Sequence, residues 1–171
     1  RETAWWSETR RAMEQSLATA LRALHEHIQG LNKDGAAFVP HDFEVRFWDE
    51  QEAVFRDGDD ALRLHGIIDR IDRAPDGRAI LIDYKTGGKG QFTNRAVDEG
   101  KKMQLALYAR AAAQVLGIEP VDGFYWHLRN ATASPFTLYG YAAEYGKEAQ
   151  AVALDAAWRV VRAVRAGRFP P

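Results

Sequence analysis

The sequence predicts an α/β domain in which helices pack on a central mixed sheet. Apolar residues recur at helical spacing near the start, a proline-glycine turn joins two apolar segments in the middle, and helical and strand-like segments alternate afterwards. The order of helix, three strands, helix, two strands and helix is typical of a layered α/β fold. With 171 residues, 46% of them apolar, the chain is long enough for one domain with a substantial core.

We expect residues 1–171 to form that single domain. The chain opens with Arg1 rather than methionine, so we also expect it to be a piece of a larger protein or a processed chain. Its net charge of −1 argues against an isolated nucleic-acid-binding module, which is usually strongly basic. It does not argue against an enzyme that meets DNA only at a narrow site.

The absence of cysteine excludes disulfides and any zinc or iron–sulfur site built on thiolates of this chain. It is consistent with a cytoplasmic setting, which we expect. No apolar run approaches the roughly 20 residues that span a bilayer, so no membrane partner is expected.

The first predicted helix runs from Trp5 to about Ile28 and stops at Gly30. Its apolar residues share one face and predict a stripe that packs on the core: Trp6, Met13, Leu17, Leu21, Leu24 and Ile28. Residues 32–40 are predicted to form a loop. Residues 42–48 alternate, with Phe43, Val45 and Phe47 on one face, and predict a strand.

Two apolar segments follow a predicted turn at residues 57–60. They cover residues 62–72 and 78–84 and are separated by Ala74-Pro75-Asp76-Gly77. Proline presets the first turn position and glycine supplies a positive φ, so the two segments predict a β-hairpin.

A glycine-containing loop leads into the second half of the chain. There the sequence predicts a helix from Asp98, as N-cap, to Leu116, with Gly117 as its terminator. Strands are predicted at residues 121–128 and 135–141, and a last amphipathic helix at residues 147–164.

The predicted hairpin brings two carboxylates together. If Pro75, Asp76 and Gly77 form a three-residue loop, antiparallel register pairs Ile71 with Leu81, Asp69 with Asp83, and Ile67 with Lys85. Opposite side chains in such a pair have Cβ atoms roughly 5 Å apart. The two aspartates would therefore share one face of the sheet, with the lysine one step further along.

Two carboxylates between apolar strands need compensation, because an unpaired buried charge is costly. A divalent cation would supply it, and ligands that are all oxygen favour Mg²⁺ or Mn²⁺ over zinc. Two alternatives remain open. Asp69 could pair with Arg70, Arg73 or Lys85 in an ordinary ion-pair cluster, or the register could slip by one residue and move Asp69 to the other face.

Three stretches in this order resemble the RecB and AddB branch of the PD-(D/E)XK nuclease superfamily: Gly66-Ile67-Ile68-Asp69-Arg70-Ile71-Asp72, Ile82-Asp83-Tyr84-Lys85-Thr86-Gly87 and Gln104-Leu105-Ala106-Leu107-Tyr108. The resemblance covers residues 42–108 best. It implies a restriction-endonuclease-like fold, with a central mixed sheet between helices. It also implies a Mg²⁺-dependent deoxyribonuclease of the exonuclease type that acts on DNA in repair, with a helicase domain or subunit as a further partner.

The resemblance also implies residue roles. Asp69 matches the first metal-binding acid and Asp83 the second, with the main-chain carbonyl of Tyr84 as a further ligand. Lys85 matches the catalytic lysine. Gln104 and Tyr108 match a helix motif that borders the site and contacts DNA, and they lie four residues apart on one helix face. Asp72 is a second candidate for the first acid, but pairing and family position both favour Asp69.

Further residues extend this interpretation. Relatives usually carry a metal-binding histidine or glutamate on a preceding helix, and we expect that element upstream of Arg1. Glu44 resembles an acid on the family's first strand and is equally consistent with a solvated position. Lys89 is predicted to meet the DNA backbone, and the cations that follow it, Arg95, Lys101 and Lys102, form either a DNA track or a solvated helix start.

Two other functions stay open at this point. The domain could keep the nuclease fold for DNA binding or subunit packing without catalysis, or it could hydrolyse small phosphate esters. The Thr86-Gly87-Gly88-Lys89-Gly90 loop lacks the spacing of a nucleotide-binding phosphate loop, so a nucleotide is not the expected ligand.

Overall fold

The computed structural model describes residues 4–32, 37–48 and 52–168, with Lys89 described by its main chain alone. The helices are α1 (Ala4–Leu31), α2 (Asn94–Asp98), α3 (Gln104–Leu116), α4 (Leu138–Tyr145) and α5 (Ala149–Arg165), with a 3₁₀ turn at Lys89–Gln91. The strands are β1 (Val39–Arg46), β2 (Ala53–Asp57), β3 (Asp60–Leu64), β4 (Ile67–Arg73), β5 (Arg78–Lys85), β6 (Glu119–His127) and β7 (Thr132–Thr137).

Five strands form one mixed sheet in the order β1-β4-β5-β6-β7. Strands β4 and β5 are antiparallel, as are β1 with β4 and β6 with β7, whereas β5 and β6 run parallel. A parallel pair needs a crossover connection, and α2 and α3 supply it. The α/β architecture predicted from the sequence is therefore confirmed. Among the described residues, no helix has the length and apolar character needed to cross a membrane.

Each face of β5 packs against a separate apolar cluster. Leu81 and Ala79 join the α3-side core, which includes Ile71, Leu105 and Tyr125. Ile80 and Ile82 join the α1-side core, which includes Leu24, Ile28, Phe124 and Trp126. Because successive side chains of a strand alternate between faces, burial on both faces makes β5 the centre of the molecule.

Helix α1 is longer than the sheet it covers. Leu24 and Ile28 are buried in the α1-side core, but Met13 and Leu17 are 63% and 48% exposed. A 28-residue helix extends roughly 40 Å, whereas an eight-residue strand spans about 27 Å. Trp6 and Leu21 are exposed as well, so the prediction that the whole apolar stripe faces the core is wrong for four of its six residues. Gly30 also does not stop the helix, which continues to Leu31.

The structure between β1 and β4 differs from the sequence prediction in two ways. Strands β2 and β3 form a separate two-stranded hairpin around Gly58, where only a turn was expected. The segment predicted as one strand over residues 62–72 is divided at Gly66, whose carbonyl accepts a hydrogen bond of 2.9 Å from the Phe47 N–H. This break separates β3 from β4 and turns β4 toward the main sheet.

The helical region after β5 also differs from the prediction. Thr93, not Asp98, is the N-cap, and its hydroxyl accepts the Ala96 N–H at 3.2 Å. Asp98 instead ends the short helix α2, and α3 starts only at Gln104. The predicted terminator of α3 is confirmed, since Gly117 adopts a left-handed conformation.

The strand predicted at residues 135–141 is likewise divided. Strand β7 ends at Thr137, whose hydroxyl caps α4 by accepting the Gly140 N–H at 2.9 Å. The buried carboxylate of Asp122 supports the same helix start by accepting the Tyr139 N–H at 3.0 Å. The last helix, α5, is confirmed close to its predicted bounds.

His27 makes the stability of α1 packing depend on pH. Its ring meets Phe124 edge-on at 4.8 Å and Trp126 at 5.7 Å. Burial lowers the pKa of His27, and the nearby Asp122 only partly offsets this. Below pH 6.5 the unfolded chain therefore takes up a proton more readily than the folded one, so stability is lost as pH falls.

We predict that the free energy of unfolding falls less between pH 7.5 and 5.5 in the His27→Gln variant than in the wild type. Denaturant titrations at each pH measure it. The exposed histidine two residues earlier provides a matched control, and His25→Gln should keep the wild-type pH dependence. Parallel pH profiles for the wild type and His27→Gln would contradict this account.

Candidate active site

The register of the β4–β5 hairpin is set by its turn. The Ala74 N–H donates to the Arg78 carbonyl at 2.8 Å, the Gly77 N–H donates to the Ala74 carbonyl at 3.2 Å, and Gly77 has a φ of +91°. Ile71 pairs with Leu81, so the predicted register is confirmed up to the Arg70–Ile82 pair. Regular pairing ends there, one residue before the predicted Asp69–Asp83 pair.

Beyond the last regular β4–β5 pair, a side chain connects the two strands. Asp69 Oδ2 accepts a hydrogen bond of 2.8 Å from the Tyr84 N–H, which ties β4 to β5 through a carboxylate. The predicted Ile67–Lys85 pair does not form either, because the β4–β5 ladder has already ended at Arg70 and Ile82. Asp69 and Asp83 nevertheless remain close enough to interact electrostatically, and the Asp69 charge contributes to a raised pKa of Asp83.

Asp83 is the buried acid of the site, with 3% of its surface exposed. Burial is the main reason why its pKa is raised; Lys85 opposes the shift and Asp69 adds to it. Lys85 Nζ forms an ion pair with Asp83 Oδ1 at 2.5 Å, and no other donor meets this oxygen among the described residues. The pKa of Asp83 is raised even so, which shows that the lysine compensates the buried charge only in part.

Lys85 is held from three directions at the end of β5. Besides Asp83, its Nζ donates to Gln104 Oε1 at 3.3 Å. The same ammonium lies 5.3 Å from the centre of the Tyr125 ring and 5.9 Å from that of Phe92. Attraction to aromatic faces orients a cation without neutralising it, so the lysine remains able to meet an anion.

Helix α3 places Gln104 and Tyr108 at the same edge of the site, where the two side chains make different contacts. Gln104 is exposed and contacts Lys85. Tyr108 is half-buried, packs edge-on against Phe47 at 5.8 Å, and lies over Gly66, where an added Cβ would come within 2.5 Å of ring carbons. Gln104 is therefore a direct neighbour of the site, whereas Tyr108 fixes the path of the chain into β4.

Asp72, the second candidate for the first acid, is engaged elsewhere. It is fully buried and accepts two hydrogen bonds from Arg70, at 2.5 Å from Nε and 2.7 Å from Nη2. Arg70 also donates to the Tyr84 hydroxyl at 3.3 Å. Arg73 pairs with Asp42. Three residues were considered as ion-pair partners of Asp69. The two arginines pair with other acids, and Lys85 pairs with Asp83.

Five further predicted residues have separate outcomes. Lys89 lies in the 3₁₀ turn, but its side chain is outside the described part of the structure. Glu44 is exposed and has a φ of +49°, which interrupts the alternation predicted for its strand. Arg95 and Lys101 both pair with Glu99, which leaves Lys102 as the unpaired member of that cation group among the described residues.

The donor set suits a hard divalent cation, Mg²⁺ or Mn²⁺, better than zinc. Within the described ranges, no three histidine, aspartate or glutamate side chains come together as a metal cluster. The site instead offers two carboxylates, Asp69 and Asp83, and the main chain of Tyr84. Mg²⁺ is usually bound by one or two carboxylates and keeps several waters, so this set fits it.

Sequence reasoning missed the aromatic residues that hold Lys85. Asp83 and Lys85 are paired in parallel register with Tyr125 and His127. A helical crossover predicts that β5 and β6 are parallel neighbours but not their register, so no signal in the sequence indicated which rings lie beside Lys85. His127 is fully buried and its Nδ1 lies 3.0 Å from the Gly87 carbonyl, so it supports the loop that leaves β5.

The Arg70–Asp72 pair allows a test of which acid is structural. Asp72→Ala would leave the Arg70 guanidinium without its buried partner, which typically costs about 3–5 kcal/mol of stability. Denaturant unfolding should show this loss. Glu14→Ala, which breaks an exposed i,i+4 pair with Arg10, should change stability by less than about 1 kcal/mol. Equal stability of the Asp72→Ala variant and the wild type would mean that this ion pair does not stabilise the hairpin.

Comparison with known proteins agrees with the geometry. An ATP-dependent helicase/deoxyribonuclease subunit of Streptococcus mutans is 30% identical over 95 residues, which are 56% of this chain and 9% of that protein. The corresponding protein from Streptococcus agalactiae is 28% identical over 108 residues, 61% of this chain and 10% of its own length. The matched region is thus a small part of these relatives.

A family-level match covers almost the whole sequence. The description of the PD-(D/E)XK nuclease superfamily matches residues 2–171. The mixed sheet, the β4–β5 hairpin and the helix beside it are consistent with that fold. This chain belongs to the PD-(D/E)XK nuclease superfamily.

Proposed function

We propose that this chain is a Mg²⁺-dependent deoxyribonuclease that hydrolyses DNA phosphodiester bonds. One observation carries the proposal: the buried Asp83, whose pKa is raised, lies beside a second carboxylate, Asp69, at the strand end that also carries Lys85. A purely structural site would be expected to avoid two neighbouring carboxylates at a buried position. Membership of a nuclease superfamily supports the same conclusion.

In this proposal Asp69, Asp83 and the main-chain carbonyl of Tyr84 hold the cation. Bound there, Mg²⁺ would polarise the phosphoryl group and lower the pKa of a water molecule. The Tyr84 N–H orients Asp69 through its 2.8 Å hydrogen bond, so this carboxylate is positioned before any ligand arrives. Such preorganisation avoids rearrangement during the reaction.

Lys85 is assigned the second role. Its ammonium is directed by Gln104 and by the rings of Tyr125 and Phe92, beside the acid that would hold the cation. From there it can donate hydrogen bonds to the attacking water or to a non-bridging phosphate oxygen. In the transition state negative charge builds on the non-bridging oxygens, and it passes to the sugar oxygen as that oxygen's bond to phosphorus breaks, so a fixed cation beside them lowers the barrier.

The wider assembly is also proposed rather than observed. We propose a single nuclease domain that belongs to a larger DNA-repair protein of the cytoplasm, with exonuclease-type action and a helicase domain or subunit as partner. The support is that the matched region forms about a tenth of relatives named as helicase/deoxyribonuclease subunits. Gln104 and Lys89 would contact the DNA next to the site, and Tyr108 would support that border.

The direct test is DNA cleavage in Mg²⁺ by the purified wild type and by variants of the proposed ligands. We predict that Asp83→Asn and Asp69→Asn each lower the rate by about 100-fold or more, the size expected when a transition-state contact is lost. Glu119→Gln is the control, because Glu119 is exposed at the opposite end of β6. Its rate should equal that of the wild type.

Two results would overturn the proposal. One is wild-type cleavage that survives Asp83→Asn unchanged in a correctly folded variant, as judged by its unfolding midpoint. The other is DNA binding by the wild type with no cleavage in either Mg²⁺ or Mn²⁺, which would favour a non-catalytic nuclease-fold domain. Hydrolysis of nucleotides without hydrolysis of DNA would indicate a phosphate-ester hydrolase.

A further inference from the structure

The loop between α2 and α3 holds Lys102 in a left-handed conformation, with a φ of +52°. Side chains other than glycine, asparagine and aspartate rarely adopt it, because the Cβ approaches the main chain too closely. Gly100, two residues earlier, occupies the same region without that penalty. Glu44 and Ala131 also have a positive φ, so this conformation alone does not mark a site, and the neighbours of Lys102 decide its meaning.

A buried residue of the core, Tyr125, holds the main chain of Lys102 in this conformation. The Tyr125 hydroxyl donates to the Lys102 carbonyl at 3.3 Å and accepts the Leu105 N–H at 3.1 Å. Burial raises the pKa of Tyr125, so the hydroxyl stays protonated and remains a donor. The ring of the same tyrosine lies 5.3 Å from Lys85 Nζ. One buried residue therefore positions both the main chain of Lys102 and the ammonium of Lys85.

The two lysines also share a second ring. Lys102 Nζ lies 5.5 Å from the centre of Phe92, and Lys85 Nζ lies 5.9 Å from the same centre. Lys85 has Asp83 as its counter-charge, but the described structure gives Lys102 no acidic partner. Its neighbour Lys101 differs in this respect, because it pairs with Glu99 at 3.1 Å. Lys102 is thus an uncompensated cation beside the proposed active site.

We propose that Lys102 binds a phosphate group of the DNA strand next to the phosphate handled at Lys85. This inference rests on the proposed function and assigns a further binding residue to it. Lysine binds phosphate as a point charge, and two cations around one ring would contact successive groups of a strand that crosses it. Phe92 is only 7% exposed, so its ring supports the ammonium groups and offers no platform for a base. The contact is therefore independent of sequence.

Binding of a mixed-sequence, single-stranded oligonucleotide tests the inference, measured by fluorescence anisotropy in EDTA so that no cleavage occurs. Lys102→Gln should weaken binding at least several-fold at low salt. It should also reduce the slope of log K against log[salt] by about 0.7, the value for one lost phosphate contact on a single strand. Lys101→Gln, with the same loss of charge one residue away, should stay within about twofold of the wild type.

A second variant separates binding from loop structure. Lys102→Gly removes the ammonium and relieves the left-handed strain. It should therefore raise the melting temperature of the protein and weaken oligonucleotide binding as much as Lys102→Gln does. Equal effects of Lys102→Gln and Lys101→Gln, or no binding by the wild type, would overturn the inference. Cleavage by the wild type is measured separately. If the wild type cleaves DNA but the two lysine variants bind the oligonucleotide equally well, the proposed function stands and only the role of Lys102 is wrong. If the wild type does not cleave DNA but its binding depends on Lys102, only the catalytic proposal is wrong.

Discussion

The candidate site depends on the register of one hairpin. Asp69 lies on β4 and Asp83 and Lys85 on β5, so they share a face only in the register that the turn closed by Ala74 and Gly77 imposes. A slip by one residue would send Asp69 to the opposite face. Apolar patterning alone does not prevent such a slip, because β5 is apolar on both sides.

Polar contacts supply the missing specificity. The Arg70 guanidinium reaches Asp72 on its own strand and the Tyr84 hydroxyl on the next strand, and Asp69 accepts the Tyr84 N–H. The two contacts to Tyr84 would be broken by a shift of β4 against β5. Buried polar groups often define a unique arrangement in this way, and here they keep Asp69 on the side of α3.

The site brings several unfavourable features together. A buried carboxylate has a raised pKa beside a second carboxylate, and a lysine nearby is held in a left-handed conformation. Each feature costs stability in the free protein, and a bound cation or phosphate group would offset that cost. Native proteins tolerate such conflicts mainly where function requires them.

The strong local signals in the sequence predicted the centre of the molecule correctly. The Pro-Asp-Gly turn determined the hairpin register, and Gly117 determined the end of α3. The β2–β3 hairpin and the short helix α4 were missed because their periodic segments are brief and depend on tertiary contacts. The exposure of Met13 and Leu17 could not be predicted, because helical periodicity identifies an apolar face but not what it packs against. The rings around Lys85 were missed for a similar reason, since Tyr125 and Phe92 meet it only through the parallel β5–β6 pair and the loop after β5.

The central claim is that Asp69 and Asp83 together bind a divalent cation. Titration calorimetry with Mn²⁺ on the purified wild type, Asp69→Asn and Asp83→Asn measures this without any substrate. The account predicts saturable binding by the wild type and its loss in both variants. Absence of binding by the wild type, or equal binding by all three proteins, would contradict it.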